Sequence, residues 1–189
     1  MTGPDSFTLS TTAPTDLWRK PGHPPTNRDN DVRKTVPVPL ASFKRLRATI
    51  HADWARQYDQ GGLLIIAPSG GNQFWVKCGI ELFDGIPYVS CVVADAGADL
   101  SLAPGLVKDS KVTLELATAG GNLWLYYIAE DGSRVPLREV TWFFTKGDDI
   151  VADVGVYTCR PTTAENGGKE DELVVHFDNY ELEHGQATA

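Results

Sequence analysis

Lys77 and Glu81 stand four residues apart in FWVKCGIEL (74–82), with Gly79 midway between them. In a β-strand that spacing sends both side chains to one face, with only a hydrogen atom between them. A cation and a carboxylate so placed shift each other's protonation, which acid–base chemistry uses. A glycine between them lets a ligand approach the backbone closely. Trp75 lies on the same face, and the following strand brings Tyr88 and Ser90 to it. The two aromatic rings offer flat surfaces for a sugar ring or another flat ligand. The competing reading is a solvated ion pair of small energetic worth.

Just upstream, Gln57, Tyr58, Asp59 and Gln60 run into the apolar stretch Leu63–Ile66. They form either a polar turn or one wall of the same site. His176, on the polar face of LVVHFDNYEL, can act as acid or base near neutral pH. Arg138 reaches a groove or covers a strand edge, and Tyr126 in LWLYY lines a site or a core. The catalytic candidates are therefore Glu81, Lys77, Tyr58, Asp59 and His176. The ligand-binding candidates are Trp75, Gln57, Gln60, Tyr88, Ser90, Arg138 and Tyr126. For glycoside hydrolysis the nominated carboxylate pair is Glu81 and Asp59, which would have to face each other across roughly 5–10 Å.

Other chemistries lack their signatures. The chain has no H-E-x-x-H, G-x-S-x-G, phosphate-binding loop or dinucleotide fingerprint. His23, His51, His176 and His184 have no ligand-like spacing, so neither metal nor cofactor is expected. Seventeen basic against 25 acidic residues leave a net charge of −8, which argues against nucleic acid and anionic membranes as partners. Cys78, Cys91 and Cys159 form no C-x-x-C pair and read as free buried thiols. MTGPDSFTLS has neither the charged start nor the apolar core of a signal peptide, so a cytoplasmic location is expected.

The elements that must position these residues are strands. LRATIHADW, FWVKCGIEL, KVTLELA and LVVHFDNYEL alternate apolar and polar residues, as half-buried antiparallel strands do. LWLYYIA is apolar on both faces and reads as a deeper strand; EVTWFF and DVGVYTC add two more. Glycine-rich turns separate them, including SGGN (69–72), FDGIP (83–87), AGGN (119–122), KGDD (146–149) and ENGG (166–169). Many short strands without helical periodicity specify an all-β sandwich or barrel, with the chain (1–189) as one domain. Residues 19–39, rich in proline, read as a long surface loop, and 184–189 as a flexible tail. A two-residue turn at Asp84-Gly85 fixes one hairpin: Glu81 faces Tyr88, Gly79 faces Ser90, Lys77 faces Val92 and Cys78 faces Cys91.

Three segments, DLWRK (16–20), WARQYDQGGLLI and FWVKCGIELFDGIPYVSCVVAD, resemble a family of small proteins of unknown function named for a yeast regulator of enolase. The resemblance rests on Trp54, Gln57 to Gln60, Gly62 and Leu63; on Trp75, Lys77, Gly79 and Glu81; and on Asp84, Gly85, Pro87, Ser90 and Val92. It implies a concanavalin A-like jelly-roll β-sandwich of two curved antiparallel sheets with a groove. That fold serves lectins, glycosidases and accessory modules, so it does not fix a function. Where the family carries an aspartate–tryptophan–serine triplet, this chain has Asp99, Leu100 and Ser101.

Two functions fit these observations. The first is a cytosolic binding or regulatory module whose groove holds a carbohydrate-like or other small polar ligand. An enolase-type partner follows only from the family's name. The second is a metal- and cofactor-independent isomerase, cyclase, lyase or hydrolase working by acid–base residues in the same groove. Exposed sheet edges allow a homodimer.

Overall fold

The computed structural model describes residues 6–22, 26–147, 149–164 and 171–185. Fourteen strands follow one another: β1 (Ser6–Thr11), β2 (Leu17–Lys20), β3 (Thr26–Asp29), β4 (Val32–Pro39), β5 (Phe43–His51), β6 (Gln60–Ser69), β7 (Asn72–Phe83), β8 (Ile86–Ala94), β9 (Ala98–Ala103), β10 (Lys111–Ala119), β11 (Asn122–Ile128), β12 (Arg134–Val140), β13 (Val151–Cys159) and β14 (Leu173–His184). They build two six-stranded sheets. The first is ordered β1-β14-β5-β10-β11-β12 and the second β4-β13-β6-β7-β8-β9. β2 and β3 form a separate two-stranded hairpin. All the strand pairs are antiparallel. This is the sandwich that the alternating pattern predicts, in the jelly-roll form that the resemblance implies.

The core lies between the sheets. Leu46, Ala48 and Ile50 of β5, Leu114 and Leu116 of β10, and Val175 and Phe177 of β14 face Leu63 and Ile65 of β6, Val76, Cys78 and Ile80 of β7, and Val154 and Val156 of β13. The Asp84-Gly85 turn has positive φ at both residues (49° and 75°), the type I′ geometry whose twist matches antiparallel strands. The hairpin register is the expected one, including Glu81 opposite Tyr88, Lys77 opposite Val92 and Cys78 opposite Cys91. The Cys78 and Cys91 sulfurs lie 3.3 Å apart. The hydrogen bond with Cys91, together with burial, pushes the Cys78 thiol well above its ordinary value.

Four expectations are corrected. Residues 19–39 are not a loop: they hold the end of β2, all of β3 and all of β4, although Pro24 and Pro25 lie outside the described residues. β4 accepts Pro37 and Pro39 because it is an edge strand, paired only with β13. The expected strand at EVTWFF ends at Val140, and Phe143–Lys146 form a 3-10 turn that buries Phe143 edge-on against Phe74, 5.1 Å away. LWLYYIA is buried on one face only, and Trp124 and Tyr126 sit half-buried on the outer face of the first sheet. At the C-terminus, His184 still pairs with Phe43 and the Gly185 amide donates to the Ser42 carbonyl at 2.8 Å; the rest of the expected tail, 186–189, lies outside the described residues, as does the ENGG turn.

Candidate functional site

Strand alternation on the second sheet sends one set of side chains away from the core. On β7 these are Trp75, Lys77 and Glu81; neighbouring strands add Gln60 and Leu64 (β6), Ser90 and Val92 (β8), Leu100 (β9), and Tyr157 and Cys159 (β13). Leu100, in the middle of the Asp99–Ser101 triplet, is on this outer face. The face is not open. Trp75 and Lys77 are each 1% exposed, Ser90 and Tyr157 0%, and Glu81 6%. The β2–β3 hairpin covers it.

Leu17 of β2 anchors that cover. It packs with Leu64, Ile66, Trp75, Ala94, Tyr157 and Cys159 in a second apolar cluster outside the sandwich core. This explains why Leu63 to Ile66 are apolar in succession: β6 is buried on both faces. Full burial of a leucine contributes about 1.5–3 kcal/mol. Polar contacts add to it. The Lys77 ammonium donates to the Leu17 carbonyl at 2.8 Å and to Gln60 Oε1 at 2.6 Å. Arg19 stacks over the Trp75 ring at 4.6 Å and donates to the carbonyls of Gln73 and Asp95. Asp16 pairs with Arg28 at 3.3 Å, and Asn30 closes the hairpin base by exchanging hydrogen bonds with Asp16.

Beneath this cover, Trp75 Nε1, Ser90 Oγ, Tyr157 Oη and Arg19 Nε are buried with no hydrogen-bond partner among the described residues. Each such group costs on the order of 1–3 kcal/mol. The remaining buried oxygens without a hydrogen bond, both of Glu115 on the first sheet, are compensated by ion pairs to Arg134 at 2.7 Å, Arg45 at 3.5 Å and Arg47 at 3.9 Å. The orphaned groups other than Glu115 therefore lie on the covered face or, for Arg19, in its cover. Burial pushes the Tyr157 phenol well above its ordinary value, so it keeps its proton.

Burial also raises the Glu81 carboxyl above its ordinary value, against the pull of Lys77 and with a push from Asp16. The folded protein then holds that proton to higher pH than the unfolded chain. Stability falls as pH rises from the ordinary glutamate value through the raised one, and above it charged Glu81 is a constant cost. Glu81→Gln removes this component. The difference in Tm between variant and wild type should grow over that window, starting near pH ~4.3, and then level off. A difference independent of pH would show that Glu81 ionises as it does in the unfolded chain.

The candidates separate clearly. Lys77, Glu81, Trp75, Gln60 and Ser90 are together on the covered face, and Tyr88, opposite Glu81, lies half-buried at its margin. Asp59 is not there. It is fully buried as the anchor of the 55–60 turn, accepting from the amides of Ala55 and Arg56 and from Arg160 Nε and Nη2, each at 2.8 Å. Gln57 is tied to the hairpin tip, accepting from the Asp84 amide at 2.8 Å. Tyr58, at φ 68° and 40% exposed, rests 6.0 Å from the Phe83 ring. Arg138, on the first sheet, closes an open edge by donating to the Asp99 carbonyl and to Ser101 Oγ of β9. Tyr126 stacks with Trp124 on the first sheet's outer face, 5.9 Å between centroids.

His176 is likewise on the first sheet, stacked 4.6 Å from His51 beside an open cleft of about 330 Å³ that Asp53, Asp109, Ser110 and Glu172 also line. His51 Nε2 meets Asp178 Oδ2 at 3.0 Å, and hydrogen bonds from Ser6 and His51 hold the Asp178 carboxyl below its ordinary value. His176 and Glu81 therefore belong to different sheets and cannot act on one substrate. The residues that sequence reasoning missed are Tyr157, Arg19, Asp16 and Arg160. For Tyr157 the signal existed: Val154 and Val156 point inward, so Tyr157 must point out.

Among the described residues no group of three or more His, Cys, Asp or Glu side chains is arranged to hold a metal ion, and no helix is long and apolar enough to cross a membrane.

The sequence from residue 2 to 185 matches a family model described as protein of unknown function (DUF1349). The chain belongs to this family. The uncharacterized protein AN7484 of Emericella nidulans is 40% identical over 92% of this chain and 84% of its own length. Regulation of enolase protein 1 of Saccharomyces cerevisiae is 27% identical over 93% of this chain and 80% of its own, so the DUF1349 match agrees with the resemblance read from the motifs. Among solved structures, a functionally unknown Saccharomyces cerevisiae protein superposes with a TM-score of 0.77, at 22% identity, over 99% of this chain and 92% of that one. The laminarinase catalytic domain of Thermotoga maritima superposes at 0.53, with 9% identity, over 99% of this chain and 82% of that one. These likenesses establish a glucanase-like jelly roll for this DUF1349 chain.

Proposed function

We propose that this protein binds a small, sugar-like polar ligand on the outer face of the second sheet, beneath the β2–β3 hairpin. One observation carries the reading: Trp75 Nε1, Ser90 Oγ and Tyr157 Oη on the covered face, and Arg19 Nε in its cover, are buried without a hydrogen-bond partner among the described residues. Buried donors are nearly always satisfied, and a ligand that satisfies several at once offsets a cost the folded chain otherwise carries. An indole, hydroxyls and a buried ammonium around an apolar floor are the usual furniture of a small-molecule site. The hairpin is joined to the sheet by side-chain contacts rather than by a strand ladder, which suits it to lift and admit the ligand.

Catalysis is the second reading. Glu81, whose carboxyl is raised by burial, is the acid or base, and Tyr157 or Lys77 its partner. Incubation with a panel of sugars and sugar derivatives, read by thermal shift and by mass spectrometry of the small molecules, tests both. Binding should raise Tm and slow amide exchange in β2 and β3. If binding occurs with Glu81→Gln but products form only with wild type, the protein is an enzyme. If no member shifts Tm or hairpin exchange, the binding reading is wrong.

A further inference from the structure

Two thiols share one row on the inner face of the second sheet. From the edge inward the row runs Ser101 (β9), Cys91 (β8), Cys78 (β7) and Leu63 (β6). Ser101 is exposed, Cys91 is 4% exposed and Cys78 0%. The type I′ turn at Asp84-Gly85 makes Phe83 and Ile86 a hydrogen-bonded pair, and pairs alternate along the unbroken ladder that follows. Counting from Phe83 back to Cys78 makes Cys78 and Cys91 a non-hydrogen-bonded pair. Such pairs hold their Cα atoms about 4.5 Å apart, inside the range of about 4.4–6.8 Å that a disulfide spans. The sulfurs, 3.3 Å apart, need to close by about 1.3 Å to bond.

The surroundings make the two thiols unequal. Arg138, opposite Leu125 on β12, reaches across the open edge of the sandwich to Ser101 Oγ and the Asp99 carbonyl. Its cation thus stands over the residue that neighbours Cys91, while the Asp99 carboxylate, 3.5 Å from the guanidinium, is mostly exposed. The hydrogen bond with Cys78 draws the Cys91 thiol below its ordinary value, against burial and with help from the charge of Arg138. A thiol near a cation, closer to the edge than its partner and backed by that partner, has the arrangement of a peroxide-reactive pair.

We propose that Cys91 is a site of oxidation by hydrogen peroxide and that Cys78 resolves it to a cross-strand disulfide. The Cys91 sulfur attacks one peroxide oxygen. The S–O bond forms as the O–O bond breaks, and the departing oxygen leaves as water with the Cys91 proton. The Cys78 sulfur then attacks the Cys91 sulfur. The S–S bond forms, the S–O bond breaks, and the hydroxyl leaves as water with the Cys78 proton. The two thiols give up two electrons, and the peroxide becomes two waters. This chemistry does not depend on what the covered face binds, because both cysteines lie on the core side of the sheet.

The test treats the reduced full chain, freed of reductant, with hydrogen peroxide and reads intact mass and peptide maps. Digestion at acidic residues is needed, since Glu81 and Asp84 separate the two cysteines while trypsin leaves both in one peptide, 78–108. Wild type should lose about 2 Da, with the Cys78 and Cys91 peptides joined, and dithiothreitol should reverse both changes. Cys159, buried on the other face of the sheet, is the internal reference and should react at least about tenfold more slowly. In Cys78→Ala, Cys91 should stop as a sulfenic acid, about 16 Da heavier and trapped by dimedone. In Cys91→Ala, Cys78 should react as slowly as Cys159. The wild-type measurement decides alone if neither variant folds. Three thiols that stay free overturn the proposal, as does oxidation of Cys159 at the same rate, which would report opening of the whole core. A Cys91→Ala chain whose Cys78 reacts as fast as wild type overturns the assignment of Cys91.

Discussion

Asp59→Ala should destabilise the protein by about 3–5 kcal/mol, the cost of leaving one member of a buried ion pair uncompensated. Both partners are sealed from solvent: Asp59 is 0% and Arg160 1% exposed. The pairing is bidentate, 2.8 Å on each arm, and Asp59 also accepts the amides of Ala55 and Arg56. Removing the carboxylate orphans four donors at once. Arg160 retains Asp171, whose carboxylate lies 3.1 Å from Nη1 but is mostly exposed, so little is recovered. For a chain of this size the loss corresponds to a fall in Tm of about 6–20 °C. Thermal unfolding of Asp59→Ala, with Asp59→Asn as the shape-preserving control, measures it. A loss below about 1 kcal/mol would mean that the pair is solvated like a surface salt bridge. The turn that Asp59 fastens leads straight into Gln60, the acceptor for Lys77. The same variant should therefore loosen the covered face without touching it directly.

Gly79→Ala should be comparably severe, with a loss of about 3 kcal/mol or more, beyond the usual range for overpacking. A Cβ there would lie 2.1 Å from the Gly61 carbonyl oxygen and 2.9 Å from Gly62 Cα. Those are backbone atoms of the adjacent strand and cannot swing aside. Gly62 is bound by the reciprocal constraint, 2.3 Å from the Cys78 carbonyl oxygen. The glycines are thus required by the approach of β6 to β7, whatever room they also give a ligand. Gly85→Ala is the informative comparison. Its φ is 75°, yet nothing lies within 4 Å, so it should cost only the left-handed penalty of about 1–2 kcal/mol. Urea unfolding of the two variants side by side decides the matter: equal losses would refute the steric argument.

The fold, and the shared face of half of the candidate residues, were legible because strand chemistry is local. Alternation in β7 and a two-residue turn were enough to align Lys77, Glu81, Ser90 and Tyr88 and to set Cys78 against Cys91. What covers them was not legible. β2 offers four residues with a single deeply buried apolar side chain, Leu17, and no period tells which sheet it will lie upon. β4 hid for a related reason: prolines interrupt its alternation and only Val38 is buried, so its pairing with β13 is dictated from far along the chain. Asp59 looked like a site residue because a carboxylate beside glycines is ambiguous until its cation is known. That cation, Arg160, stands about a hundred residues downstream. His176 failed for a topological reason. Alternation gives the face of a strand, not the sheet to which the strand belongs.

The order of the first sheet sets a timetable for synthesis. β14 lies between β1 and β5 and is paired to both, so β1 waits for a strand made more than 150 residues later. Until Leu173 to His184 have left the ribosome, β1 has no strand to pair with and β5 offers an open edge with Leu46, Ala48 and Ile50 behind it. The nascent chain must keep that edge from other chains until β14 is made, and a polypeptide that stops before β14 would expose it permanently. Completion of β14 is thus the event that turns a sticky intermediate into a closed sandwich.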